Sequence, residues 1–166
     1  MKYHRSSEFC LSLFLLFVTV IFSGVAFFHW FGLAFFVGSL FIVHWLGLVA
    51  TIFIAVLVPI YYILKRKRSN NIKTLLRIHV FGNLFSFMFV SIHFAQNIGR
   101  LVAFYPKLGY GFLLFLVLST IVTTGLLERF SCQRKLVRYT KFVHRYSVVV
   151  FYLVAIIHTL QGFNII

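Results

Sequence analysis

Five long apolar runs, separated by short polar or basic stretches, organise this chain of 166 residues. They cover Phe9–Phe28, Ala34–Leu64, Thr74–Ile98, Leu108–Leu127 and Phe142–Phe163. A helix needs about 20 predominantly apolar residues to cross the hydrocarbon of a bilayer. Each run meets that length. Backbone N–H and C=O groups find no water in lipid, so a spanning segment has to satisfy them internally and is expected to be helical. The pattern therefore predicts an all-α integral membrane bundle of five transmembrane helices, folded as one domain over residues 1–166. The second run exceeds a bilayer crossing and is expected to tilt or project past the inner surface. The first also resembles a secretory signal, with Lys2, His4 and Arg5 before the apolar stretch and small residues at Ser23–Ala26. We read it as a retained span.

Composition agrees with this picture. The chain is 61% hydrophobic and 11% charged, more apolar surface than a soluble domain of this length can hide. Lipid covers the remainder. The formal net charge is +14, because 16 Lys and Arg face only Glu8 and Glu128. On a soluble domain that excess would point to nucleic acid. Here the cations gather in alternate loops, so no nucleic-acid partner is expected. Lys2 and Arg5 precede the first span. Lys65–Arg68, Lys73 and Arg77 lie between the second and third, and Arg129, Arg134, Lys135, Arg138, Lys141 and Arg145 between the fourth and fifth. The other loops hold only Arg100 and Lys107. Excess Lys and Arg mark cytoplasmic loops. The N-terminus is thus expected in the cytoplasm and the C-terminus outside, in a multi-pass protein of the cell membrane.

Four of the seven histidines form the pattern that carries chemistry. His79 and His93 lie on the third span, His144 and His158 on the fifth, and each pair is separated by the same interval. Over that interval a helix turns to within about 40° of its starting direction and rises about 21 Å. Each helix thus shows two imidazoles on nearly one face, one in each leaflet. The third and fifth spans run in the same direction, so His79 is matched in depth with His144 near the inner surface, and His93 with His158 near the outer. Facing imidazoles can hold a haem iron from both sides, leaving no open position for oxygen, which suits electron transfer. Gly82, Ser147 and Ala155 offer clearance for a flat macrocycle. Arg77, Lys141 and Arg145 sit where inner propionates need cations, and Arg100, Asn97 and Gln161 near the outer pair. The two thiols, Cys10 and Cys132, form no CxxCH, so covalent haem attachment is excluded. His29 and His44 share similar settings, Phe28-His29-Trp30 and Val43-His44-Trp45. They read either as part of an interfacial aromatic belt or as an outer site for a quinol, metal ion or electron partner. His4 reads as a tail residue.

These paired motifs, following basic loops, resemble the transmembrane domain of ferric reductases and NADPH oxidases over Leu64–Gln161. The spacing is also similar to the ligand helices of cytochrome b from quinol-oxidising complexes, and Arg77-x-His79-x-x-Gly82 resembles that family's first ligand helix. The resemblance implies two b-type haems, His79 and His144 on the inner iron and His93 and His158 on the outer. It implies the electron-transfer part of an oxidoreductase rather than a dehydrogenase. Without a flavin or nicotinamide domain on this chain, the expected donor is a cytoplasmic protein, a quinol or other subunits of a respiratory complex. A haem-free transporter that uses histidine to relay protons or metal ions is the alternative from another class.

Overall fold

The computed structural model describes residues 2–33, 35–67, 71–100, 109–130, 134–163 and 165, with side chains from Ser7 onward except that of Arg134. Arg68, Lys107 and Cys132, and the side chains of Lys2, His4, Arg5 and Arg134, lie outside the described residues. The elements in chain order are α1 (Lys2–Phe27), β1 (Phe36–Val37), β2 (Leu40–Phe41), α2 (Ile42–Arg66), α3 (Ile72–Ile98), α4 (Gly109–Phe130) and α5 (Arg134–Gly162). The fold is all-α as expected. Among the described residues five helices are long and apolar enough to cross a membrane, which makes this a multi-pass membrane protein.

One boundary differs. The second apolar run begins at Ala34 in the sequence, yet α2 starts only at Ile42. The residues between form a small antiparallel ribbon, pairing Phe36 with Phe41 and Val37 with Leu40. Gly38 takes a positive φ of 64° in the connecting turn, a conformation that tight hairpins require. The Phe36 and Phe41 rings stack at 4.0 Å, and Trp45 Nε1 donates to the Val37 carbonyl at 2.8 Å, tying the ribbon to α2. The excess length of that run is therefore taken up by a turn rather than by an over-long helix.

The chain forms two compact units, residues 2–99 and 100–166. In the first, α3 packs against both α1 and α2. Towards α1, Ala26, Met88 and Ile92 form a buried cluster flanked by Val18, Phe89 and Ala95. Arg77 Nε donates to Glu8 Oε1 at 2.6 Å near one end, and Phe27 meets Gly99 at the other, so α1 runs parallel to α3. Towards α2 the direction reverses: Gly47 lies against His93 and Tyr61 against His79. In the second unit α4 and α5 form an antiparallel hairpin, with Gly111 against His158 and Gly125 against His144. The outward faces are apolar, with Phe17 64%, Val149 59% and Leu153 60% exposed, as lipid contact requires. Several hydroxyl groups are satisfied on their own helices: Ser12, Thr19, Thr51, Ser119 and Thr120 each donate to the carbonyl four residues back.

The closest helix approach yields a prediction. A Cβ at Gly99 would run into the Phe27 carbonyl, which is backbone and cannot turn aside. Gly99→Ala should therefore lower thermal stability in detergent by about 1–3 kcal/mol, as overpacking does. Gly24→Ala on α1, where an added Cβ meets nothing within 4 Å, should leave the melting temperature unchanged or raise it. Equal melting behaviour of the two variants would contradict the close approach.

Candidate functional site

The spacing of the histidines follows from the way each hairpin is packed. On α5 the row Thr140, His144, Ser147, Phe151, Val154 and His158 alternates steps of four and three. On α3 the row His79, Asn83, Ser86, Val90, His93 and Asn97 does the same, as does Val43, Gly47, Ala50, Ile54, Leu57 and Tyr61 on α2. Steps of four and three average 3.5, the period of a left-handed helix seam. The two histidines of a helix are thus separated by whole heptads and occupy one seam, with the drift of a straight helix removed. Positions on the neighbouring helix repeat with the same interval: Gly47 and Tyr61 on α2, Gly111 and Gly125 on α4.

Each imidazole is received by one of those positions. The His93 ring lies on Gly47, where an added Cβ would be 3.0 Å from its Cγ. His93 Nδ1 is 2.9 Å from the Val43 carbonyl, one turn before that glycine. The His144 ring lies on Gly125, with 3.1 Å from a Cβ there to its Cε1. His144 Nδ1 is 3.0 Å from the Ile121 carbonyl, again one turn before the glycine, and 3.2 Å from Thr124 Oγ1. A carbonyl can only accept, so Nδ1 carries the proton in both rings, and in the neutral form the lone pair resides on Nε2. His158 lies on Gly111 in the same manner, 3.1 Å from a Cβ there to its Cε1. His79 differs. It stacks on the Tyr61 ring at 4.3 Å and 16°, and its Nδ1 is 3.2 Å from the Asn83 amide nitrogen. Asn83 Oδ1 is buried without a hydrogen-bond partner. The same amide nitrogen is 3.5 Å from His79 Nε2.

The remaining sequence candidates take other places. His44 lies edge-on to His93, ring centroids 5.3 Å apart. His29 adopts a positive φ of 59° and bridges to the end of α3: its Nε2 is 2.8 Å from the Gly99 carbonyl and its Nδ1 2.6 Å from Gln96 Nε2. Both ring nitrogens are engaged within the protein, so His29 acts here as a clamp between α1 and α3. Trp30 is 76% exposed and stacks on Phe28, as an interfacial aromatic belt would. Arg77 is held by Glu8, whereas Arg145 is exposed on α5. The clearance at Gly82 is used by Phe53 and Leu57 of α2, 2.9 Å and 3.0 Å from a Cβ placed there. Ser147 lines an open apolar cleft of about 330 Å³ with Leu116, Thr120, Phe142 and Tyr146.

Among the described residues no three His, Cys, Asp or Glu side chains converge on a metal-sized site, so the donor set consists of imidazoles presented singly along two helices. Such a set fits a haem iron, which takes its equatorial nitrogens from the macrocycle and needs only axial ligands from protein. The carbonyl bonds at Nδ1 of His93 and His144 agree with Nε2 as the free donor atom of those two rings, since metal-bound histidines usually donate their other N–H to a carbonyl or carboxylate. Sequence reasoning missed Gly47, Gly111, Gly125, Tyr61 and Asn83. The signal was present, because Gly111 and Gly125 repeat the histidine interval. Comparison of the chain with family models, curated proteins and solved structures found no match to any of them.

Proposed function

We propose that this chain binds two b-type haems and serves as the transmembrane electron carrier of an oxidoreductase, receiving electrons from a separate donor. The observation that carries this reading is the orientation of the seam imidazoles: Nδ1 of His93 and of His144 is tied to a carbonyl of the neighbouring helix, which directs the lone pair to Nε2 once in each unit. His79 and His144 would hold the inner haem, His93 and His158 the outer. Bound there, haem supplies one-electron chemistry without an open coordination position. The protein's own part is to fix the ring tautomers, to surround them with apolar side chains and to supply cations. Arg145, exposed beside His144 on α5, would meet a propionate, and Glu8 tempers the charge of Arg77. In the cell membrane, the basic ends of α2 and α5 would face the cytoplasm, where Lys65, Lys67 and Lys135 are exposed and attract an acidic donor protein.

A second reading makes the donor a quinol, with the chain as cytochrome b subunit of a respiratory complex. The cleft beside Ser147 favours it, being apolar, edged by Thr120 and Tyr146, and of a size that suits a small ring. Quinone analogues that displace the donor from the reduced cytochrome would support this version, and a salt-sensitive protein donor the first.

Three measurements test the proposal. Purified protein should show a reversible redox-difference spectrum of two non-covalent haems per chain, fully removed by acidified organic solvent. Folded protein without haem would overturn the reading in favour of a haem-free transporter. His79→Ala and His144→Ala should each abolish the same haem, and His93→Ala and His158→Ala the other. Loss of one haem in common by His79→Ala and His158→Ala would reverse the pairing. A tag after Ile166 should be labelled on intact cells, and Lys65–Lys67 only after permeabilisation. The opposite pattern would invert the assigned direction across the membrane.

A further inference from the structure

We propose that Gly47, Gly111 and Gly125 are positioning residues for three of the four axial histidines, each opening a notch in the neighbouring helix that sets the angle of one imidazole and, at Gly47 and Gly125, its tautomer. The inference rests on the haem reading above and adds residues from α2 and α4, helices that contribute no ligand themselves.

Small residues in membrane helices usually serve close backbone packing, and this chain contains that type too. A Cβ at Gly99 would meet main-chain atoms of Phe27, and one at Gly82 would meet the Phe53 and Leu57 side chains. The three notches differ. At Gly111 and Gly47 the three nearest atoms to an added Cβ belong to His158 and His93, and at Gly125, among the described residues, the only atoms within 4 Å outside its own helix backbone belong to His144. At two of them a second, independent observation gives the notch a purpose. Without a side chain at Gly47, His93 Nδ1 reaches the Val43 carbonyl; without one at Gly125, His144 Nδ1 reaches the Ile121 carbonyl. The same relation, glycine at one position and accepting carbonyl one turn earlier, thus occurs once in each compact unit. A bond from Nδ1–H to a carbonyl makes the opposite nitrogen more basic and holds the ring plane. The notches therefore influence both the orientation of the axial ligand and the electron density it offers the iron. At the fourth position Tyr61 replaces glycine, and the His79 ring is held by stacking instead.

The test uses the full-length haem-loaded protein. Gly125→Ala brings a methyl group to 3.1 Å from His144 Cε1, so the ring must give by a few tenths of an ångström and the bond to Ile121 lengthens. This variant should keep both haems, with a raised midpoint potential and an altered low-spin electron paramagnetic resonance signal for the haem that His144→Ala abolishes. Gly125→Val should lose that haem alone. Gly47→Val and Gly111→Val should each lose the haem abolished by His93→Ala and His158→Ala. Gly109→Ala is the control on α4, since among the described residues nothing lies within 4 Å of a Cβ there. A purely packing role would lower thermal stability without singling out one haem. If a valine variant does not fold, the potential and resonance signal of the alanine variant decide. Wild-type protein with two haems whose Gly125→Ala and Gly125→Val variants match Gly109→Ala would overturn the notches alone. Wild-type protein without haem would overturn the haem reading, and the notches with it.

Discussion

In hydrocarbon a polar group has only the protein to bond with, and that constraint orders the rest of this structure. Main-chain groups are consumed by five helices. Hydroxyl groups such as those of Ser12, Thr19, Thr51 and Ser119 fold back on the carbonyl a turn earlier. The imidazoles of His93 and His144 donate instead to carbonyls of the neighbouring helix. A helical carbonyl is reachable only where no side chain covers it. The glycines below His93 and His144 remove that cover. Polar chemistry is thereby kept in the seams, while the outer faces carry Phe, Val, Leu and Ile towards lipid.

How much of this was legible in the sequence depends on which force decides each feature. The five helices were legible because hydropathy decides them. The start of α2 was not: Phe35, Phe36 and Phe41 are as apolar as any spanning residue, and only the Gly38-Ser39 turn betrays a ribbon. The four seam histidines were legible through their interval, since periodicity reports a helix face. Their seats were harder to see, because a glycine announces itself by what is missing. Arg77 read as a cation for a propionate, and the reading did not pair it with Glu8, which lies on a helix remote in sequence. His29 and His44 looked alike because each sits between an apolar residue and a Trp. In the folded chain one clamps a helix end and the other flanks His93.

The heptad geometry also accounts for a regularity that ligand chemistry alone does not require. Any two histidines on roughly one face could serve two haems, but an interval of whole heptads lets identical packing recur at both levels of a hairpin. On α4 that recurrence is literal, glycine under His158 and glycine under His144. On α2 it is broken, glycine under His93 and an aromatic ring against His79. The two levels of the first unit thus differ in what receives the ring, while in the second both rings lie on glycine and His144 alone is tied to the Ile121 carbonyl.

The attachment of α1 has a mechanical corollary. This helix is fastened to α3 near both ends, by the Glu8–Arg77 ion pair at one and by the contacts of Phe27 and His29 with Gly99 and Gln96 at the other. Two anchor points turn a neighbour into a splint. Force applied to the N-terminal helix, whether by a bound protein or by a change in bilayer thickness, passes into α3 as a shift of the whole rod. His79 and His93 then travel together, their separation preserved.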